Sequence, residues 1–102
     1  MISISNLIAS YGWKITYDAF NIDFNIPFKQ QLDELNEDLL QALNEDYIID
    51  IGWYPERNPK GTIITLLIKK NNWNKPIKKF EDTNYYDFVN HIKYLLSSYP
   101  AH

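Results

Sequence analysis

Apolar residues change their spacing along this chain, and each change marks an element. Ile4, Leu7, Ile8 and Tyr11 recur at helical intervals. Ser3 can cap the start and Gly12 can close the end in a left-handed turn, so the pattern predicts a short helix over about 3–11. From Trp13 the period becomes two. Trp13, Ile15, Tyr17 and Ala19 alternate with polar residues, as in a half-buried strand. After Phe20 the parity switches to Ile22, Phe24, Ile26 and Phe28. One regular strand cannot bury both sets, because a one-residue shift exchanges the faces. A bulge or turn near Asp18–Asn21 is expected, giving one bent strand or two.

The stretch FKQQLDELNEDLLQALNED, residues 28–46, returns to helical spacing through Phe28, Leu32, Leu35, Leu39, Ala42 and Leu43. Pro27 suits a first turn. The pattern predicts a long amphipathic helix whose outer face carries Asp33, Glu34, Glu37 and Asp38, with Lys29 as the nearby basic residue. YIIDIGWYP and GTIITLLIKK then read as two strands joined by a hairpin loop over Glu56–Lys60. In the second, Ile63, Thr65 and Leu67 share one face and Ile64, Leu66 and Ile68 the other. Two apolar faces predict a central strand covered on both sides. NNWNKPIKKFED gives a turn and a short edge strand around Ile77–Phe80, guarded by lysines and a proline. Thr83 or Asn84 caps a last helix with Phe88, Ile92, Leu95 and Tyr99 on its buried stripe, helped by Val89 and Leu96. Pro100 ends it.

The sum is an α+β chain: a single globular domain over 1–102, with an antiparallel sheet of about four or five strands. Two longer helices and a short N-terminal helix pack on it as a sandwich.

Composition narrows the function. The chain has 102 residues, 45% hydrophobic and 16% aromatic, enough to build a core rather than stay disordered. Without cysteine there are no disulfides, thiol nucleophiles or cysteine metal sites. MISISNLIASYGW lacks a basic leader and a long apolar run, so neither a signal peptide nor a membrane span is expected, and a cytoplasmic location is. The net charge of -3 is unevenly spread. Residues 1–55 carry two basic and nine acidic side chains, and residues 56–102 carry eight basic and four acidic.

No catalytic set emerges. His91 reads as a boundary residue of the last helix, and His102 is the final residue. Serines gather near the two ends, outside any strained nucleophile turn. Three glycines are too few for a phosphate-cradling loop. Asp33/Glu37 and Glu34/Asp38 are helical neighbours that lack ligands from a second element. The expectation is a non-enzyme with no catalytic residue, cofactor or metal.

Two binding readings remain. Lys69, Lys70, Lys75, Lys78 and Lys79 surround Trp73, a combination that can hold single-stranded nucleic acid. The acidic balance, with a pI of about 5.2, argues against nucleic acid as a partner. On a helix, Asp33, Glu34, Glu37 and Asp38 would repel one another by a few tenths of a kcal/mol per pair, roughly. A cationic protein partner would relieve that repulsion and be steered by it.

DIGWYPERNPKGTIITLLIKK, followed by a Trp-x-x-Pro turn, a short strand and a closing helix, resembles bacterial immunity proteins of polymorphic toxin systems. It is most similar to those of contact-dependent growth inhibition. The matching residues are Gly52-Trp53-Tyr54-Pro55 and Trp73-Asn74-Lys75-Pro76, so the likeness covers about the C-terminal half; the first 27 residues take no part in it. The resemblance implies a cytoplasmic protein that binds the C-terminal domain of its cognate toxin and covers that domain's active site; separately, the chain is expected to be a monomer when free. It also implies a nuclease as the toxin, whose cationic groove an acidic surface would match. Asp33, Glu34, Glu37 and Asp38 are then the expected partner-binding face. Trp53, Tyr54, Glu56 and Arg57 at the hairpin tip are the expected anchor, since interfaces favour Trp, Tyr and Arg. Alternation places Trp53 and Tyr54 on opposite faces, one in the core and one at the surface. Gly52 marks a bulge or a close backbone approach.

Overall fold

The computed structural model describes residues 3–70 and 72–100. The chain runs α1 (Ile4–Ser10), β1 (Lys14–Asp18), two single 3₁₀ turns (Phe28–Gln30 and Leu32–Glu34), β2 (Leu40–Leu43), β3 (Tyr47–Tyr54), β4 (Thr62–Lys69), β5 (Lys78–Asp82) and α2 (Tyr85–Ser98). The five strands form one antiparallel sheet in the order β1-β2-β3-β4-β5, so each strand pairs with its neighbour in the chain. The fold is α+β.

Local chemistry sets the helix ends. Ser3 Oγ accepts from the Asn6 N–H at 3.1 Å, and Gly12 closes the turn after α1 with φ 89°. Asn84 Oδ1 accepts from the Asp87 N–H at 2.9 Å at the start of α2. Of the two predicted caps, Asn84 is the one used. Both helices pack on the same side of the sheet and touch each other. Ile8 from α1 and Phe88, Ile92, Leu95 and Leu96 from α2 meet the inner face of the sheet, formed by Leu40, Ala42, Ile49, Ile51, Trp53, Ile63 and Leu67, all buried. Asp82 and His91 add a polar link between sheet and helix. His91 Nδ1 lies 2.9 Å from both oxygens of the buried Asp82 carboxylate, and Phe80 stacks on the imidazole at 4.1 Å.

The long helix predicted over 28–46 is not formed. Its first part makes only the two 3₁₀ turns, and Leu40–Leu43 is strand β2, paired between β1 and β3. The leucines are still buried: Leu35, Leu39 and Leu40 are in the core. They enter it from an extended chain, because β1 and β3 each need a partner for their backbone groups and β2 supplies it. A tight turn at Asn44 makes this possible: its N–H donates to the Tyr47 carbonyl, and its Oδ1 accepts from the N–H groups of Asp46 and Tyr47.

The parity switch after Phe20 is resolved by a turn rather than a second strand. The Phe20 N–H donates to Asp18 Oδ1, and the chain then leaves the sheet irregularly. Ile22 is buried, Phe20 stacks on Phe88 with ring centroids 5.5 Å apart, and Phe24 packs edge-on against Tyr85. β1 itself carries an irregularity in register between Ile15 and Tyr17.

The expectation that β4 is covered on both sides also fails. The helices occupy the inner face alone. On the outer face Leu43, Ile48, Ile64 and Leu66 are partly exposed, while Ile68 is buried.

Candidate functional site

The chemistry-bearing groups gather on the outer face, where the chain between the second 3₁₀ turn and β2 meets β3. Leu35–Leu39 runs beside the end of β3. The Leu39 N–H donates to the Ile51 carbonyl, the Trp53 N–H to the Asn36 carbonyl at 2.8 Å, and the Arg57 N–H to the Leu35 carbonyl at 2.7 Å. Two residues, Glu37 and Asp38, thus lie between the chain's two attachments to β3, at Asn36 and Leu39. The Glu37 carbonyl is pushed over Gly52, where any Cβ would overlap it. Gly52 is therefore the close backbone approach expected from the sequence.

This crossing delivers Glu37 and Asp38 to the outer face next to Asp50, which points outward from β3 between Ile49 and Ile51. Tyr17 and Gln41 lie in the same row across the sheet, since Tyr17 pairs with Gln41 and Gln41 with Asp50. Tyr17, Asp38, Leu40, Gln41 and Asp50 line a shallow pocket of about 340 Å³. Burial, and then the neighbouring Asp38 charge, push the Asp50 carboxyl above its ordinary range. Tyr54 borders the group. Burial first, then Asp50, Glu37 and Asp38, raise its phenol above its ordinary value. Among the described residues no ion pair reaches Glu37, Asp38 or Asp50. The site is three uncompensated carboxylates among two tyrosines, on a partly apolar sheet face.

The expected site residues separate. Glu37, Asp38 and Tyr54 are brought together. Asp33 and Glu34 sit on the second 3₁₀ turn, beside Lys29, Gln30, Gln31 and Leu32. They do not share a helical face with Glu37 and Asp38, so the predicted i,i+4 acidic stripe does not exist. Trp53 is withdrawn from the anchor. It is fully buried, its ring lies 4.8 Å from Phe28, and its Nε1–H donates to the Asn58 carbonyl at 2.7 Å. Tyr54 takes the outer position. Glu56 and Arg57 are exposed at the hairpin tip, with Arg57 in the left-handed region at φ 58°.

Asp50, Tyr17 and Gln41 complete the cluster and were not singled out from the sequence. A lone carboxylate in the otherwise apolar run YIIDIGW was the available signal. The other residues were hidden by the strand pairing of β2.

A second pocket, of about 310 Å³, lies between Ile4, Phe20, Ile22, Phe24 and Tyr85, with Ser3, Asp23 and Asn25 around it. It is mainly apolar. The basic turn between β4 and β5 leaves Trp73 51% exposed, near Lys75 in sequence. No group of three or more His, Asp or Glu side chains arranged to hold a metal ion occurs among the described residues. Among them, too, no helix is long and apolar enough to cross a membrane.

Together these features define a small α+β protein with an open, acidic sheet face opposite its helices. Compared with known family models, curated proteins and solved structures, the chain gives no match.

Proposed function

We propose that this chain is a non-catalytic binding protein of the immunity type, which occupies a cationic toxin domain in the cytoplasm with its acidic outer face. The observation that supports this most is the grouping of Glu37, Asp38 and Asp50 around Tyr54. Unpaired carboxylates on a partly desolvated surface carry a standing electrostatic cost, and a basic partner would remove it. Tyr17 and Tyr54 supply the aromatic contact area that binding surfaces favour. Its carboxylates face a broad sheet surface instead of a deep cleft. Arg57 and Glu56 extend the surface at the hairpin tip. A nuclease domain, with a groove built for phosphates, is the partner class that the acidic face fits best.

The test is co-expression with the C-terminal domain of a toxin whose gene adjoins that of this chain, where one is found. Wild type restores growth. The variant Glu37→Lys/Asp38→Lys loses rescue, and its affinity for the purified domain falls while its salt dependence flattens. Unchanged affinity and salt response would remove the acidic face from the interface, and failure of the wild type to rescue would remove the function.

A second reading rests on Trp73, exposed in the lysine-bearing turn that includes Lys75. Such a turn can stack a base and contact phosphates. Binding of single-stranded RNA or DNA that is lost in Trp73→Ala and in Lys78→Glu would favour it.

A further inference from the structure

β5 forms one edge of the sheet, and among the described residues nothing pairs with its outer side. Its sequence is Lys78-Lys79-Phe80-Glu81-Asp82. Turned antiparallel about Phe80, this strand is its own charge complement on its exposed face: Lys79 meets Glu81, while Asp82 stays turned inward to His91.

The backbone has the matching parity. The Lys70 N–H donates to the Asp46 carbonyl, which makes Tyr47 and Lys69 a non-hydrogen-bonded pair. Alternation along β3 and β4 then turns Ile63, Thr65 and Leu67 toward β5, where they face Asp82, Phe80 and Lys78. The bonds from Leu39 and Trp53 agree with this alternation, since Ile51 and Trp53 bond away from β4. The N–H and C=O groups of Lys79 and Glu81 therefore point to the free edge. These are the two residues whose charges would pair.

We propose that a second copy of this chain pairs along β5, antiparallel, with the twofold axis at Phe80. Lys79 of each copy exchanges backbone hydrogen bonds with Glu81 of the other, and their side chains pair on the outer face. At present Lys79 and Glu81 share a weak, exposed ion pair of 3.5 Å within one strand, which the dimer replaces with two cross-strand pairs. Phe80 faces its own copy on the helical side. Tyr94, 6.0 Å from Phe80 and 46% exposed, gains a covered flank. The other edge, β1, also begins in Lys14 and ends in Asp18, but its irregularity between Ile15 and Tyr17 breaks the ladder that such pairing needs. Lysine on an edge strand normally resists pairing. Here the outward lysine, Lys79, meets the exposed carboxylate of Glu81.

Five residues per edge fall short of the ~800 Å² per partner of a stable interface, so the dimer is weak and concentration-dependent. This departs from the sequence expectation of a free monomer.

Sedimentation velocity over a wide concentration range tests the pairing. The wild-type mass doubles with concentration. Lys79→Glu and Glu81→Lys, each kept folded by circular dichroism, stay monomeric because like charges oppose across the axis. Mixing the two variants restores a dimer, since every pair is then opposite in sign. A wild type that remains monomeric throughout overturns the proposal. So does a dimer that survives both single reversals.

Discussion

The carbonyl oxygen of Glu37 lies where a side chain at residue 52 would have to begin. That contact joins the crossing segment to β3 and sets the position of the acidic residues. Gly52→Ala should therefore cost about 2–3 kcal/mol, the range for overpacking a closed site. It should also weaken partner binding as strongly as charge reversal does. Urea unfolding and a binding titration on the same variant check both. A stable variant with full affinity would mean that the crossing can shift without disturbing the site.

Asp50 predicts a pH dependence. Its folded pKa is raised above the ordinary 3.8, by burial and then by Asp38. The folded state therefore binds the proton more tightly than the unfolded chain. The stability linked to this group is present at low pH and is lost as pH rises through the folded pKa. Asp50→Asn should raise stability at neutral pH by about 0.5 kcal/mol, the scale of like-charge relief across strands. The gain should vanish below pH ~4, where the wild-type carboxyl is protonated in both states. Denaturation at the two pH values measures it. Ultraviolet titration of Tyr54 in the same variant should move toward the ordinary value of 10.0, because one of the charges raising it is gone.

Thr65 lies on the inner face of β4 between Ile51 and Phe80, with its hydroxyl buried and without a hydrogen-bond partner among the described residues. Thr65→Val keeps the shape and removes the unsatisfied group. It should stabilise the protein by about 1 kcal/mol, read as a higher melting temperature with no change in binding.

Asp82 is 4% exposed in its side chain, and His91 is its partner. His91→Ala would leave a buried carboxylate facing Phe80 and the helix. The expected cost is about 2 kcal/mol, below the full penalty of a buried pair because His91 is 38% exposed. Asp82→Asn/His91→Ala should be less damaging than the sum of its single changes, and a double-mutant cycle by chemical denaturation gives that coupling.

The sequence exposed the helices, the β3–β4 hairpin and the class, because these elements carry their own caps, turns and periods. Ser3, Gly12, Asn84 and the Phe88–Leu96 stripe could be read without any neighbour. The segment 28–46 could not. Leu32, Leu35 and Leu39 sit at helical spacing, and glutamine, glutamate and leucine favour helix intrinsically. What decides the outcome is the demand of β1 and β3 for a strand between them, a tertiary term that no local window contains. Leu40 and Ala42 do alternate with Gln41 and Leu43, and Asn44-Glu45-Asp46 is a turn signal. Both were masked by the stronger period. The site followed the same logic. Tyr54 and the carboxylates of Glu37 and Asp38 were visible as candidates, but the partner that organises them, Asp50, sits on another strand.

The meander has a kinetic consequence. β2 to β5 are joined by turns short enough to close locally, while β1 meets β2 only across the long connection from Ala19 to Leu39. Local closure is entropically cheaper and faster. The four-strand unit should therefore assemble first, with β1 and α1 docking late. In hydrogen exchange, amides of β1 and α1 should open at lower free energy than those of β3 and β4. Tyr17 belongs to the late-docking part and Asp50 to the early one, so the outer pocket would open and close with β1 while the rest of the sheet holds.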